Sequence, residues 1–147
     1  MKKRELRLVL DAFKRIKMPK IEDKALRNKM ITCHLALIKE LKKYEAELED
    51  FRVVHLGAFD DELAAYQELQ NKINIEMNPE KRAELLEKLE SHKDLRDAIQ
   101  AYNKAVADAG QKDVEVEKID AAAFVAEYQK QDYDASVVEA LSPLFIL

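Results

Sequence analysis

Residues 22–51, EDKALRNKMITCHLALIKELKKYEAELEDF, decide the fold. Leu26, Met30, Cys33, Leu37, Leu41, Tyr44, Leu48 and Phe51 recur there in seven steps over 25 residues. The mean step of about 3.6 is the period of one helix face. At 1.5 Å per residue, a helix of about 30 residues runs about 45 Å. That length exceeds the usual globular helix and predicts a rod or a long hairpin.

Upstream, Leu6, Val9, Leu10, Phe13 and Ile16 predict a short amphipathic helix over 6–16. Pro19 closes it by disfavouring the α region at Met18, so Met18-Pro19-Lys20 is a connector. Downstream, Arg52-Val53-Val54-His55-Leu56-Gly57 combines β-branched residues with a glycine and is taken as a helix break. Asp60 or Asp61 is then expected to cap a helix whose stripe is Phe59, Leu63, Tyr66, Leu69, Ile73 and Met77. Asn78-Pro79 supplies both a stop and a start, because proline at the first helical position loses no needed donor. The next helix carries Leu85, Leu89, His92, Leu95, Ile99, Tyr102 and Val106, with Gly110 as a left-handed residue at its end.

Beyond Gly110 the apolar period falls to two. Val114-Glu115-Val116-Glu117-Lys118-Ile119 predicts one short half-buried strand. Its partner would be another extended piece, such as Val53-Val54, or a second chain. Asp120 is expected to cap a helix through Tyr128, and Asp134 another that ends near Ser142-Pro143. No repeat of 30 to 50 residues is present, which argues against a solenoid. The expected fold is mainly α, a long helical hairpin or bundle with a small C-terminal unit containing one short β-strand. Residues 1–110 form the bundle, its long helix packing on the 60–77 and 79–108 helices. Residues 111–147 pack on it as one domain.

A chain of 147 residues, 48% hydrophobic and 37% charged, is too apolar for a disordered segment and long enough for one core. Only two glycines occur, Gly57 and Gly110, 53 residues apart. Neither can belong to a dinucleotide fingerprint, a P-loop or a nucleophile elbow, each of which needs clustered glycine. The single cysteine, Cys33, excludes an intrachain disulfide and a multi-cysteine zinc module, and implies a reducing compartment. Met1-Lys2-Lys3-Arg4 resembles the basic start of a signal peptide, but Glu5, Arg7 and Asp11 interrupt the apolar run that should follow. No export is expected, and the apolar stretch 31–38 is too short for a membrane span.

Candidate chemistry is sparse. His34, His55 and His92 are scattered, and none follows a glutamate by three residues as in di-iron bundles. Cys33 and His34 are adjacent, so they splay about 100° apart on a helix and share an ion poorly. Cys33 and His92 are expected in the core. Glu80, Glu84, Glu87 and Glu90 form a solvated helix face, with Glu84 and Lys88 spaced for an ion pair. Ser91, Ser136 and Ser142 have no histidine in a suggestive position. No catalytic residue, cofactor or metal is expected, and the chain is expected not to be an enzyme.

Charge is polarised. Residues 1–20 hold eight Lys or Arg against two acids, whereas residues 51–147 hold eleven against twenty, so the net charge of −4 conceals opposed ends. Lys2, Lys3, Arg4, Arg7, Lys14, Arg15, Lys17 and Lys20 are candidate interaction residues. Their expected role is attraction to the acidic half, within a molecule or between neighbours. Phosphate contact is the secondary expectation, because no aromatic is interleaved except Phe13 and no nucleic-acid module follows. Leu144, Phe145, Ile146 and Leu147 are a second candidate. They either fold back onto the bundle, the preferred expectation, or serve as a docking peptide.

The order of these features resembles a type of small phage- or prophage-encoded helical protein associated with tail-module genes. The shared arrangement is a short helix at 6–16, the Met18-Pro19-Lys20 connector, a long charged helix at 26–51, the Val/Glu strand and a last short helix at 134–144. This chain adds a second helical pair at 60–108. The resemblance implies a non-enzymatic structural or assembly protein, located in the host-cell cytoplasm or the virion. Such a protein would act through protein partners and homo-oligomerisation, without a membrane. The alternative is a regulatory or host-interacting protein that contacts nucleic acid through its basic start. The long stripe is the physical motive for an oligomer, since one short partner cannot cover it.

Overall fold

The computed structural model describes residues 1–131 and 134–146. The fold is mainly α, with helices α1 (Leu6–Lys14), α2 (Lys24–Leu56), α3 (Asp60–Ile75), α4 (Pro79–Glu90), α5 (Lys93–Gly110), α6 (Ala121–Lys130) and α7 (Ala135–Leu141). A two-stranded parallel pair joins β1 (Ile119–Asp120) and β2 (Phe145–Ile146). The chain divides into two compact units, Met1–Ala46 with Ala109–Leu147, and Glu47–Asp108. The expected division at residue 110 is therefore corrected. The C-terminal segment shares a core with the start of the chain.

In the first unit the predicted stripes become the core. α1 buries Leu6, Val9, Leu10 and Phe13, and α2 buries Leu26, Met30, Cys33 and Leu37 against them. Each large aliphatic or aromatic side chain so buried contributes about 1.5–3 kcal/mol. Leu41 and Tyr44 are half-buried, so the stripe is covered by this chain's own residues over most of its length. Phe124, Val137, Leu141 and Leu144 complete the cluster from the other end of the sequence. The two ends are also joined through the backbone: Lys3 N–H donates to the Lys112 carbonyl at 2.9 Å, and Val114 N–H to the Met1 carbonyl at 2.8 Å.

The expected strand is shorter and paired differently. Val114 is buried, Glu115 exposed and Val116 half-buried, as alternation predicts, but only Ile119 and Asp120 enter a ladder. They pair in register with Phe145 and Ile146. Val53 and Val54, the expected partners, are helical. Parallel strands need a crossover connection, and α6 and α7 provide it. Asp120 and Asp134 cap those helices as expected, accepting from Ala123 N–H and Ser136 N–H at 3.0 Å each.

The second unit comprises the end of α2, then α3, α4 and most of α5. Its core is small: Leu56, Tyr66 and Leu95, with Leu63, Ile99 and Tyr102 packed around them. Asn78 caps α4 as predicted, its side chain accepting from Glu80 N–H at 3.0 Å, with Pro79 in the first turn.

Four local expectations need correction. α2 continues through Leu56, and the break falls on a single 3-10 turn at Gly57–Phe59; within a helix already propagating, two valines cost too little to end it. Phe59, without a side-chain bond, precedes α3, so neither Asp60 nor Asp61 is its cap. The 79–108 helix is two helices, since it breaks at Ser91 and His92, where the Ser91 hydroxyl donates back to the Lys88 carbonyl. Gly110 lies within α5 without a positive φ. Its lack of a side chain serves close approach, because a Cβ there would stand 3.2 Å from Tyr44 Oη and 3.3 Å from Arg4 Cβ.

Candidate interaction surfaces

The basic start is largely committed to contacts within the first unit. Lys2 Nζ lies 2.8 Å from Asp113 and holds that carboxyl below its usual range, through a hydrogen bond and its charge. Arg7 pairs with Glu45, Lys14 lies 3.4 Å from Asp11, and Arg15 donates to Ser136 Oγ at 2.8 Å. Lys3 Nζ lies 5.9 Å from the centre of the Tyr44 ring, a cation–π contact. Lys20 accepts through its carbonyl from Gln131 Nε2 at 2.8 Å, and the Arg4 and Lys17 side chains are exposed. These pairs are solvent-exposed, so each contributes little to stability.

At the other end, Leu144 is fully buried, and the Phe145 ring lies 5.3 Å from that of Phe124. A free docking peptide is thus corrected for these two residues: they fold back and build the core. Ile146 is in β2 and 55% exposed, and Leu147 lies outside the described residues.

Among groups with candidate chemistry, Cys33 is buried and donates to the Glu117 carbonyl at 3.4 Å. Burial, reinforced by the Glu117 carboxylate, pushes the thiol up to about 11, which keeps it protonated and unreactive. His34 stacks on Phe13 at 5.0 Å with its ring nearly parallel. Burial and then the Lys14 charge hold its pKa below the ordinary value. It belongs to a cleft of about 250 Å³ between α1 and α2, floored by Leu10, Ile38 and Leu41. His92 is half-buried, with its ring perpendicular to that of Tyr66 and Nδ1 3.4 Å from Glu62. Its expected core position is therefore a boundary position.

Glu127 is 3% exposed, the one buried charged side chain among the described residues. Its Oε1 accepts from Asp23 N–H at 3.0 Å, at the entrance to α2, while Oε2 has no hydrogen-bond partner. Lys130 and Gln131 of the same segment hold Glu22 and Lys20, so the end of α6 fixes the connector to α2. Glu127 accounts for a position that sequence spacing does not reveal, because its partner is 104 residues away. Among the described residues, no group of three or more His, Cys, Asp or Glu could hold a metal ion, and no helix is long and apolar enough to cross a membrane.

The second unit exposes its apolar residues. Val53 is 55% exposed, Val54 77%, Ile75 79% and Met77 94%. Met77, expected within the core stripe, is exposed because the helix stops at Ile75 and the connector to Pro79 is extended. No residue of α4 is fully buried. Two open clefts, of about 360 and 650 Å³, flank the α3–α4 end, one beside Ile75 and Leu85 and the other beside Met77 and Leu86. Glu84 and Lys88, spaced for an ion pair, form none.

No known family model matches the chain, and no curated protein or solved structure is similar to it. The surfaces themselves are the ground for a functional reading.

Proposed function

We infer that this protein is a non-enzymatic interaction or assembly protein that acts through helix-mediated contacts with protein, including a second copy of itself. One observation carries the reading: the second unit packs a core of Leu56, Tyr66 and Leu95 while leaving Val53, Val54, Ile75 and Met77 in solvent. A 62-residue unit with so small a core is marginal alone, and exposed large apolar residues beside open clefts favour a covering partner. A phage or prophage setting rests on the arrangement of sequence features alone. The long stripe of α2, the first motive for an oligomer, is mostly covered by the chain itself, so the exposed apolar residues of the second unit replace it.

Nucleic-acid contact draws less support. Most of the cations at the start of the chain already face carboxylates, a hydroxyl or an aromatic ring. The test is cross-linking of an equal mixture of unlabelled and isotopically labelled full-length chains at micromolar concentration. Mixed-isotope cross-links between copies are expected. Cross-links confined to single chains, even at the highest concentration reached, would overturn self-association.

A further inference from the structure

Charge within the second unit is not spread evenly. The unit holds eight Lys or Arg against fifteen acids, a surplus of seven negative charges. Residues 72–88, the end of α3, the connector and most of α4, hold four of each: Lys72, Lys81, Arg82 and Lys88 against Glu76, Glu80, Glu84 and Glu87. The whole surplus therefore lies elsewhere. Two copies of so acidic a unit repel one another over most of their surface, and the repulsion is absent at this end.

Apolar side chains are left uncovered at the neutral end, as they are at Val53 and Val54. Ile75 is 79% exposed, Met77 94% and Leu86 42%. α4 buries no residue fully, although a helix of 12 residues draws its stability chiefly from packing an apolar face. Lys81, Arg82 and Lys88 have no ion partner among the described residues, and neither do Glu80, Glu84 and Glu87. Ile75 lines a cleft with Glu76, Lys81, Glu84 and Lys88, and Met77 and Leu86 line another with Glu76 and Arg82, so charges of both signs lie beside each set of exposed apolar side chains. A second copy offers charges of both signs in return, whereas a partner of single-signed charge would satisfy only half of them.

We propose that the α3–α4 end, centred on Ile75, Met77 and Leu86, is the self-association surface, and that a second copy of this chain covers it through the same residues. This rests on the self-association reading above and assigns it a place. In a two-fold arrangement, Lys81 and Arg82 of one copy meet Glu80 and Glu84 of the other.

The experiment is sedimentation equilibrium of the full-length chain, comparing wild type with Ile75→Glu/Met77→Glu. Both side chains point into solvent, and circular dichroism should be unchanged. The double variant should raise the dimer Kd at least tenfold. A second pair separates the charge argument: Lys81→Glu/Arg82→Glu and Glu80→Lys/Glu84→Lys should each self-associate poorly, yet associate when mixed. If wild type associates and the apolar variant stays within twofold of it, this surface is wrong while self-association stands. If mixing restores nothing, the two-fold charge pairing is overturned. A wild-type chain that remains a single copy at every concentration overturns both.

Discussion

Replacing Leu144 by alanine tests whether the apolar end of the chain is core. The side chain is fully buried, in a cluster with Phe124, Val137 and Leu141. Truncating leucine at such sites costs about 3–5 kcal/mol through lost transfer energy and the cavity left behind. Leu144 is close to the end of the described chain, where the backbone can relax into part of that cavity. The lower figure, about 3 kcal/mol, therefore applies. With a urea slope of about 2 kcal/mol/M, the unfolding midpoint should fall by about 1.5 M. Ile146→Ala is the internal control. Its side chain is 55% exposed, so it should move the midpoint by less than a third as much. Unfolding followed by far-ultraviolet circular dichroism reads both variants. Equal shifts, or a Leu144→Ala midpoint within about 0.3 M of wild type, would refute the folded-back end and return these residues to the role of a docking peptide.

Three further outcomes follow from local chemistry. Asn78→Ala removes the acceptor for the first amides of α4 and should cost about 1 kcal/mol, whereas Asp60→Ala, at a position that caps nothing, should cost under about 0.5 kcal/mol in the same urea assay. His34 is held below its ordinary pKa by burial and by Lys14, so the unfolded chain binds this proton more readily than the folded one. Its contribution is complete above about pH 6.5 and lost as pH falls toward the folded pKa. Unfolding free energies at pH 7.5 and 5.5 should therefore differ more in wild type than in His34→Leu, and an equal difference would refute the account. Cys33, with its thiol pushed from 9.0 to about 11, should react with a thiol reagent at pH 8 about 100-fold more slowly in the folded chain than in urea. Equal rates would place it outside the core.

The helical period carried most of the architecture. Leu26, Met30, Cys33 and Leu37 are buried where a step of about 3.6 puts them, and Asn78, Asp120 and Asp134 cap the helices that follow. These features are local, so single-sequence reading reaches them. Contacts across long separations escaped it. Nothing near Ile119 announces Phe145, and nothing near Glu127 announces Asp23. For the same reason the expected subdivision at residue 110 differs from the two compact units: the two ends of the chain share one core. Breaks were misplaced where propensity was weighed without context, as at Val53 and Val54, which remain helical, and at Ser91, which divides α4 from α5. For the candidate surfaces, composition identified a basic start but not the carboxylates that engage it. The Met77 stripe position was assigned to the core because periodicity alone does not show that the helix stops at Ile75, ahead of Pro79.

Self-association is the central claim, and molar mass in solution tests it most directly. Size-exclusion chromatography with light scattering, run from low to high micromolar loading, should give a mass that rises from near 17.0 kDa toward twice that value as concentration increases. A mass that stays at 17.0 kDa throughout would contradict the account.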